Sequence, residues 1–241
     1  MSAICVIGEI CGLREWYGEH VHLVALAAKL APRGLDLVHP FALGWVNRDL
    51  PAEQRLAGAD DRLGIIVGNT RALWAPFIAA CRAGGALVSS ANPIDRYCEA
   101  VLGAVLDETG SVPAVRWAHE PAPRLPIQRI ADRAGLAPLS AVGLNVHPTY
   151  GPWFALRAVL VVDVPGPSEA PPAVVSPCVD CARTCGPAFE RAQAAQATRQ
   201  GISETWPLWL EVRESCPVGR QWRYPEPMIR WHYARDRSAL G

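Results

Sequence analysis

The sequence predicts a domain that mixes α-helices with β-strands, followed by a small tail that carries cysteines. Apolar runs alternate with turns and helical stretches over about the first two thirds of the 241 residues. No glycine-rich phosphate loop accompanies them, and such alternation is typical of a mixed α/β or α+β domain. A proline-rich stretch separates this part from a cluster of cysteines. We therefore expect a domain over residues 1–165, a linker over 166–177 and a tail over 178–241.

Four stretches of the predicted domain have helical character. The first is amphipathic and is followed by Pro32 and Gly34, which are typical of a helix end. The third opens at Asn92, a good N-cap, and Pro93 suits the first helical position. The predicted helices are His20 to Leu30, Thr70 to Arg82, Pro93 to about Leu106, and Ile127 to Ala134, which is ended by Gly135.

Four other stretches are apolar or rich in β-branched residues and are predicted to be strands. The last two are joined by a turn-rich connection, because Pro148, Gly151 and Pro152 force a sharp reversal of the chain. The predicted strands are Leu63 to Val67, Ala114 to Ala118, Ala141 to Val146, and Trp153 to Val164.

Charge and apolar content argue against some classes of protein. Lysine and arginine together number 23, as do aspartate and glutamate, so the formal net charge is zero. This balance argues against general nucleic-acid binding as the main task. The chain has no uninterrupted apolar run of about 18 residues, so no transmembrane helix is predicted. We expect a soluble, cytoplasmic protein.

Four of the eight cysteines fall in the predicted tail. Cys178, Cys181 and Cys185 form a C-x2-C-x3-C pattern, and Cys216 precedes a proline. In a cytosolic chain such clustering favours metal over disulfides. Four thiolates suit one [4Fe–4S] cluster or a tetrahedral zinc ion, and a metal-free tail is the alternative. A helix over Ala188 to Arg199 is predicted in the gap before the last cysteine.

One segment carries a resemblance to a known family. Gly143 to Arg157 reads GLNVHPTYGPWFALR. It resembles the G-x-x-x-H-P-x-[FY]-G-x-W-F-A-[IL]-R segment of the CblC family, whose members are also described as cyanocobalamin reductases and alkylcobalamin dealkylases. Phe41 to Asn47 and Asn92 to Arg96 resemble two further segments of that family in the same order.

The resemblance implies a flavin-reductase-like (nitroreductase-like) α+β fold that binds cobalamin and carries out reductive chemistry at its cobalt. It implies that the chain lowers the oxidation state of the cobalt and removes an upper axial ligand, such as cyanide or an alkyl group. The cobalamin-binding residues that it implies are His147, Tyr150, Gly151, Trp153 and Arg157.

The region from Ala134 onward is also similar to epoxyqueuosine reductases, which share the corrinoid-binding domain and append a ferredoxin-like module. Ser140-Ala141-Val142 stands where that family has glycine-lysine-asparagine, and His147 matches the CblC family better. A corrinoid- and iron–sulfur-dependent reductase of an organic substrate is therefore one alternative function. A non-catalytic corrinoid carrier or electron-transfer protein is another.

Each of the main binding candidates also has a structural interpretation. His147 can hydrogen-bond within its own turn, Trp153 can pack in the core, and Arg157 can form a surface salt bridge. In an extended strand, Trp153 and Phe154 point to opposite faces, and Arg157 shares the face of Trp153.

Six arginines interleave with tryptophans and tyrosines between Arg213 and Arg237. Such a mixture can bind RNA through phosphate pairing and stacking. Arginine forks also fit the carboxylates of a small thiol such as glutathione. The alternative is a tail whose aromatic side chains pack on the core while its arginines face solvent. The predicted partners are cobalamin and either glutathione or an electron-donor protein. A membrane is not a predicted partner, and a nucleic acid is disfavoured.

Overall fold

The structure is a computed structural model that describes residues 21–109, 113–169, 174–181, 184–198 and 202–240. In these ranges the strands form one four-stranded antiparallel sheet with the order β1-β2-β4-β3. The strands are β1 (Leu37–Ala42), β2 (Arg62–Asn69), β3 (Ala114–Trp117) and β4 (Ala155–Pro165). The segment that resembles the CblC family therefore ends in a central strand, β4.

Helices pack on the sheet and against one another. They are α1 (Val21–Leu30), α2 (Leu43–Asn47), α3 (Trp74–Arg82), α4 (Ala86–Ser89), α5 (Pro93–Thr109), α6 (Ile127–Arg133), α7 (Cys185–Ala197), α8 (Ile202–Glu214) and α9 (Glu226–Ala234). Among the residues described, no helix has the length and apolar content that a membrane crossing requires.

The sheet is buried on both faces, because the side chains of its central strands alternate between two hydrophobic clusters. On β2, Leu63, Ile65 and Val67 belong to one cluster, which α1, α3, α5 and α9 complete. Ile66 belongs to the other cluster, which α2 and α6 complete. The sheet is thus a middle layer, which explains why β2 appears in the sequence as a continuous apolar run.

Most of the predicted elements are confirmed. The predicted helix over His20 to Leu30 is observed from Val21, since His20 lies outside the described residues. The tail helix begins at Cys185 instead of Ala188, and the predicted end at Arg199 lies outside the described residues. β4 begins at Ala155, so Trp153 and Phe154 precede the strand.

The prediction of a strand over Ala141 to Val146 is wrong. The N–H of Gly143 donates to the carbonyl of Ser140 at 3.0 Å, and Gly143 has a φ of 76°. This left-handed conformation suits glycine and closes a turn. The chain reverses there, and only an isolated bridge between Leu139 and Asn145 forms.

Three elements have no clear sequence signal. β1 contains Pro40, which interrupts a strand pattern but is tolerated because β1 is an edge strand. α8 contains Pro207 in its interior, and α9 starts at a glutamate-proline step. Proline inside a sequence pattern therefore conceals elements that tertiary packing stabilises.

Residues 202–240, which we call the C-terminal segment, contribute to the main core. Tyr224, Met228, Ile229 and Trp231 are buried in the same cluster as one face of the sheet. α7 and α8 form a smaller cluster of their own, centred on Ala188, Ala192 and Val212. The division into domain, linker and tail at 165 and 177 stays a prediction, and the shared core indicates that part of the tail folds together with the sheet.

Candidate functional site

The segment that resembles the CblC family forms a tight turn directly before β4. The N–H of His147 donates to the carbonyl of Gly151 at 2.9 Å, and the N–H of Gly151 donates back at 2.8 Å. The imidazole Nδ1 of His147 accepts hydrogen bonds from the N–H groups of Thr149 at 3.1 Å and Tyr150 at 3.3 Å. His147 therefore stabilises its own turn, and its role in cobalamin binding stays a prediction.

The His147 ring is uncharged at neutral pH. Burial lowers its pKa to about 3, and the neighbouring His39 contributes in the same direction. Because Nδ1 accepts hydrogen bonds, the proton of the neutral ring is assigned to Nε2. His147 is thus a neutral donor held in one orientation.

Tyr150 connects the turn to the C-terminal segment. Its ring stacks on the His147 ring with 4.6 Å between centroids, and it meets the Trp222 ring edge to face at 4.8 Å. Burial raises the pKa of the Tyr150 hydroxyl to about 12, and the nearby Asp36 raises it further. The hydroxyl therefore stays protonated at neutral pH.

Two glycines allow the backbones of the turn and the C-terminal segment to touch. Gly151 has a φ of 57° and Gly219 a φ of 69°. A Cβ atom on Gly151 would lie 1.9 Å from the carbonyl oxygen of Val218, and one on Gly219 would lie 2.2 Å from the carbonyl carbon of Tyr150. Gly151 is thus required for close packing, while its predicted contact with cobalamin stays a prediction.

Trp153 lies under an aromatic and cationic layer from the C-terminal segment. Its ring is 1 % exposed and meets the Tyr224 ring at 5.7 Å. The guanidinium carbon of Arg213 lies 5.5 Å from the Trp153 ring and 5.6 Å from the Tyr224 ring. Within the part of the chain that the structure describes, Arg213 has no carboxylate partner. Its guanidinium therefore lies against aromatic faces, which stabilise the positive charge.

Arg157 is held on β4 from two sides. Its Nε donates to Oδ1 of Asn69 at 2.7 Å, and Nη1 lies 3.5 Å from Oδ1 of Asp95. The side chain is 12 % exposed, so the predicted alternative of a surface salt bridge does not describe it. The remaining guanidinium nitrogen, Nη2, has no hydrogen-bond partner among the described residues.

Five buried polar atoms in this region have no hydrogen-bond partner among the described residues. They are Nε1 of Trp153, Nη2 of Arg157, Nε of Arg213, the hydroxyl of Tyr224 and Nε2 of His232, and we call these residues the polar cluster. Leaving a buried donor unsatisfied costs about 1–3 kcal/mol. The polar cluster therefore favours a ligand that supplies oxygen acceptors.

The charges of the polar cluster are predominantly positive. Burial lowers the pKa of His232 well below its usual value, and Arg157 and Arg213 lower it further. Burial raises the pKa of the Tyr224 hydroxyl to about 12. At neutral pH two guanidinium groups thus accompany a neutral imidazole and a neutral phenol, an arrangement that suits carboxylate or amide oxygens.

The polar cluster contains only part of the predicted cobalamin site. Trp153 and Arg157 belong to it, and His147, Tyr150 and Gly151 lie in the adjacent turn. The interleaving of arginines with aromatic residues in the sequence indicates Arg213 and Tyr224 as candidates. Nothing in the sequence indicates that Nε2 of His232 is buried. The predicted alternative, in which tail aromatics pack on the core, is observed for Tyr224.

The four tail cysteines line a second candidate site, a cavity that we call the cysteine cavity. Cys178, Cys181, Cys185 and Cys216 line it together with apolar side chains. Burial raises the pKa of the Cys185 and Cys216 thiols, and the neighbouring thiols raise it further. No three or more His, Cys, Asp or Glu side chains in the described ranges are arranged to hold a metal ion. The predicted [4Fe–4S] cluster and the zinc alternative are therefore not confirmed and stay predictions.

No family model matches the chain, and no curated protein matches it either. Among solved structures, the chain is similar to the C. elegans B12-trafficking protein CblC, described as a homologue of human MMACHC. The two superpose with a TM-score of 0.71 over 94 % of this chain and 96 % of that chain, at 16 % identity. The chain has the fold of CblC.

The likeness to CblC confirms the predicted mixed α+β class, with its antiparallel sheet flanked by helices. It agrees with the predicted resemblance to the CblC family over nearly the full length of both chains. The flavin-reductase-like description is consistent with the CblC fold and stays a prediction. An epoxyqueuosine-reductase-like tail is not supported.

Proposed function

We propose that the protein binds cobalamin as its substrate, lowers the oxidation state of the cobalt and removes an upper axial ligand. The observation that carries the proposal is the polar cluster, because it is built on the segment whose residues resemble the CblC family. The similar structure is named a B12-trafficking protein, which supports cobalamin as the ligand. The cytoplasmic location stays a prediction.

The polar cluster fits the edge of a corrin ring. That ring is a broad, partly apolar disc whose rim carries amide groups, so it needs flat apolar walls and scattered donors. Trp153 and Tyr224 supply aromatic surface. Nη2 of Arg157 and Nε of Arg213 supply donors that have no acceptor among the described residues. When bound, cobalamin supplies the redox chemistry of its cobalt, and the protein controls its ligands and access.

Binding requires the covering layer to move. His147, Tyr150 and Trp153 are at most 5 % exposed, and the segment from Arg213 to His232 supplies the side chains that cover Trp153. We propose that this segment shifts to admit the corrin ring. Arg213 then exchanges its aromatic contacts for ligand oxygens.

Glutathione is the thiol that we propose as a partner. Its two carboxylates suit guanidinium groups, and Arg213 has no carboxylate partner among the described residues. An electron-donor protein would serve the same reductive step. A thiol requirement for ligand removal distinguishes these two sources of electrons.

Absorption spectroscopy tests the proposal. Titration of cyanocobalamin with the full chain is expected to shift the corrin bands, and addition of a reductant is expected to release cyanide. Arg213→Met is expected to weaken binding about tenfold, whereas Arg96→Met, at an exposed position on α5, leaves it unchanged. An unaltered cobalamin spectrum at saturating protein would refute binding. Binding without ligand removal would show a carrier instead of an enzyme.

A further inference from the structure

We propose that the cysteine cavity holds one [4Fe–4S] cluster bound by Cys178, Cys181, Cys185 and Cys216. All four cysteines are free thiols and are partly buried. All four line the same cavity. The two other free cysteines in the described ranges, Cys81 and Cys98, lie in the main core instead.

A helical hairpin brings the distant fourth cysteine to the other three. Cys185 is the first residue of α7, and Cys216 follows the end of α8. α7 and α8 pack against each other, and the hydroxyl of Thr184 donates to the carbonyl of Ser215 at 2.6 Å. The start of α7 is thereby fixed to the end of α8. The fold, and not only the sequence spacing, creates a four-cysteine site.

The walls of the cysteine cavity suit a buried cluster. They include Val142, Leu144, Val146 and Val212, which limit the access of water and lower the local polarity. The backbone N–H of Val218 donates to the sulfur of Cys216. Hydrogen bonds to cysteine sulfur and an apolar surround are the features by which proteins tune iron–sulfur clusters.

A cluster with several iron atoms is the occupant that we propose, and a single zinc ion is the alternative that the metal analysis tests. A zinc ion would require four thiolates at about 2.3 Å from one point. The four cysteines instead surround a space that ten further residues also line. A cubane fits this better, because each of its four corners takes a thiolate of its own.

Metal analysis of the full chain tests this proposal. After anaerobic reconstitution with ferrous iron and sulfide, we expect about four irons and four sulfides per chain and broad charge-transfer absorption. Cys181→Ser and Cys216→Ser are each expected to lose most of this iron. Cys81→Ala is the matched control, because Cys81 is buried in α3, and it is expected to retain the full cluster.

Two results would overturn the proposal. One is wild-type protein that holds no iron after reconstitution, a measurement that does not depend on how any variant folds. The other is one tightly held zinc per chain that excludes iron. The cobalamin titration is separate, since cluster content is measured without cobalamin. Failure of the cluster and failure of cobalamin binding are therefore distinguishable.

Discussion

At the scale of single residues, three histidines contribute to how stability responds to acid: His39 and His147 are buried, and His232 is half-buried with a buried Nε2. Burial lowers the pKa of His39 to about 4 and that of His147 to about 3, and it lowers that of His232 well below 6.5. In the unfolded chain these groups titrate near 6.5. Between these values the unfolded state binds protons that the folded state does not.

We therefore expect stability to be fully present above about pH 6.5 and to be lost as the pH falls toward the folded pKa values. Each histidine contributes a slope of about 1.4 kcal/mol per pH unit within this window. The measurement is the free energy of urea unfolding between about pH 5 and 7. His147→Asn is expected to reduce this slope by about 1.4 kcal/mol per pH unit, which corresponds to one proton fewer taken up on unfolding. An unchanged slope would show that His147 is accessible to protons in the folded state.

Trp153 is the residue at which packing and ligand binding are hardest to separate. Because it is 1 % exposed, Trp153→Ala is expected to cost about 3–5 kcal/mol of unfolding free energy. Trp153→Phe retains one aromatic ring but removes the unpaired Nε1 together with part of the indole volume, so its cost is expected to be smaller than that of Trp153→Ala. Denaturant unfolding and cobalamin affinity are measured on both variants. Full stability in Trp153→Ala would refute the core position.

At the scale of elements, the contact between the 147–152 turn and residues 218–219 fixes how the C-terminal segment lies on the sheet. We expect Gly151→Ala to destabilise the protein by more than Gly143→Ala. Both glycines have a positive φ, for which a non-glycine residue pays about 1–2 kcal/mol. Only Gly151 also places a Cβ atom against backbone, at 1.9 Å.

Gly143→Ala is thus the matched control, since a Cβ atom there meets nothing within 4 Å. Thermal unfolding of the two variants measures the difference. Equal melting temperatures would mean that the C-terminal segment does not pack on the turn. Cobalamin titration of Gly151→Ala then shows whether that contact also shapes the binding site.

Elements that local patterns specify could be predicted from the sequence, and those that depend on distant packing could not. α5 carries an asparagine-proline start, and β2 carries a continuous apolar run. β1 is a strand because β2 pairs with it along its full length, despite Pro40. The strand predicted over 141–146 fails because the φ of Gly143 cannot be read from apolar content.

The candidate site follows the same division. His147, Trp153 and Arg157 lie in one short segment, so a single motif predicts them. Arg213 and His232 reach the site only because α8 and α9 fold back over β4. Such contacts join residues that are far apart in sequence. The burial that leaves polar atoms unpaired is a property of the folded molecule alone.

At the scale of the whole molecule, the question is whether the C-terminal segment is a tail or part of the domain. Met228 on α9 is fully buried in the cluster that contains one face of the sheet. α9 thus covers that face of the sheet together with α1, α3 and α5. We therefore expect the chain to unfold as one cooperative unit, without a separate transition for residues 202–240.

Met228→Ala tests this expectation, because its cost of about 2–5 kcal/mol must then appear in the unfolding of the entire protein. Two probes are compared on the same sample: far-ultraviolet circular dichroism, and hydrogen exchange of the β2 and β4 amides. If the chain unfolds as one cooperative unit, both probes report the same loss of stability. Val175→Ala is the control, since Val175 is 78 % exposed and its loss should change neither probe. If Met228→Ala leaves exchange in β2 and β4 unchanged while helical signal is lost, the segment is an independent tail, and the predicted boundary at 177 is correct.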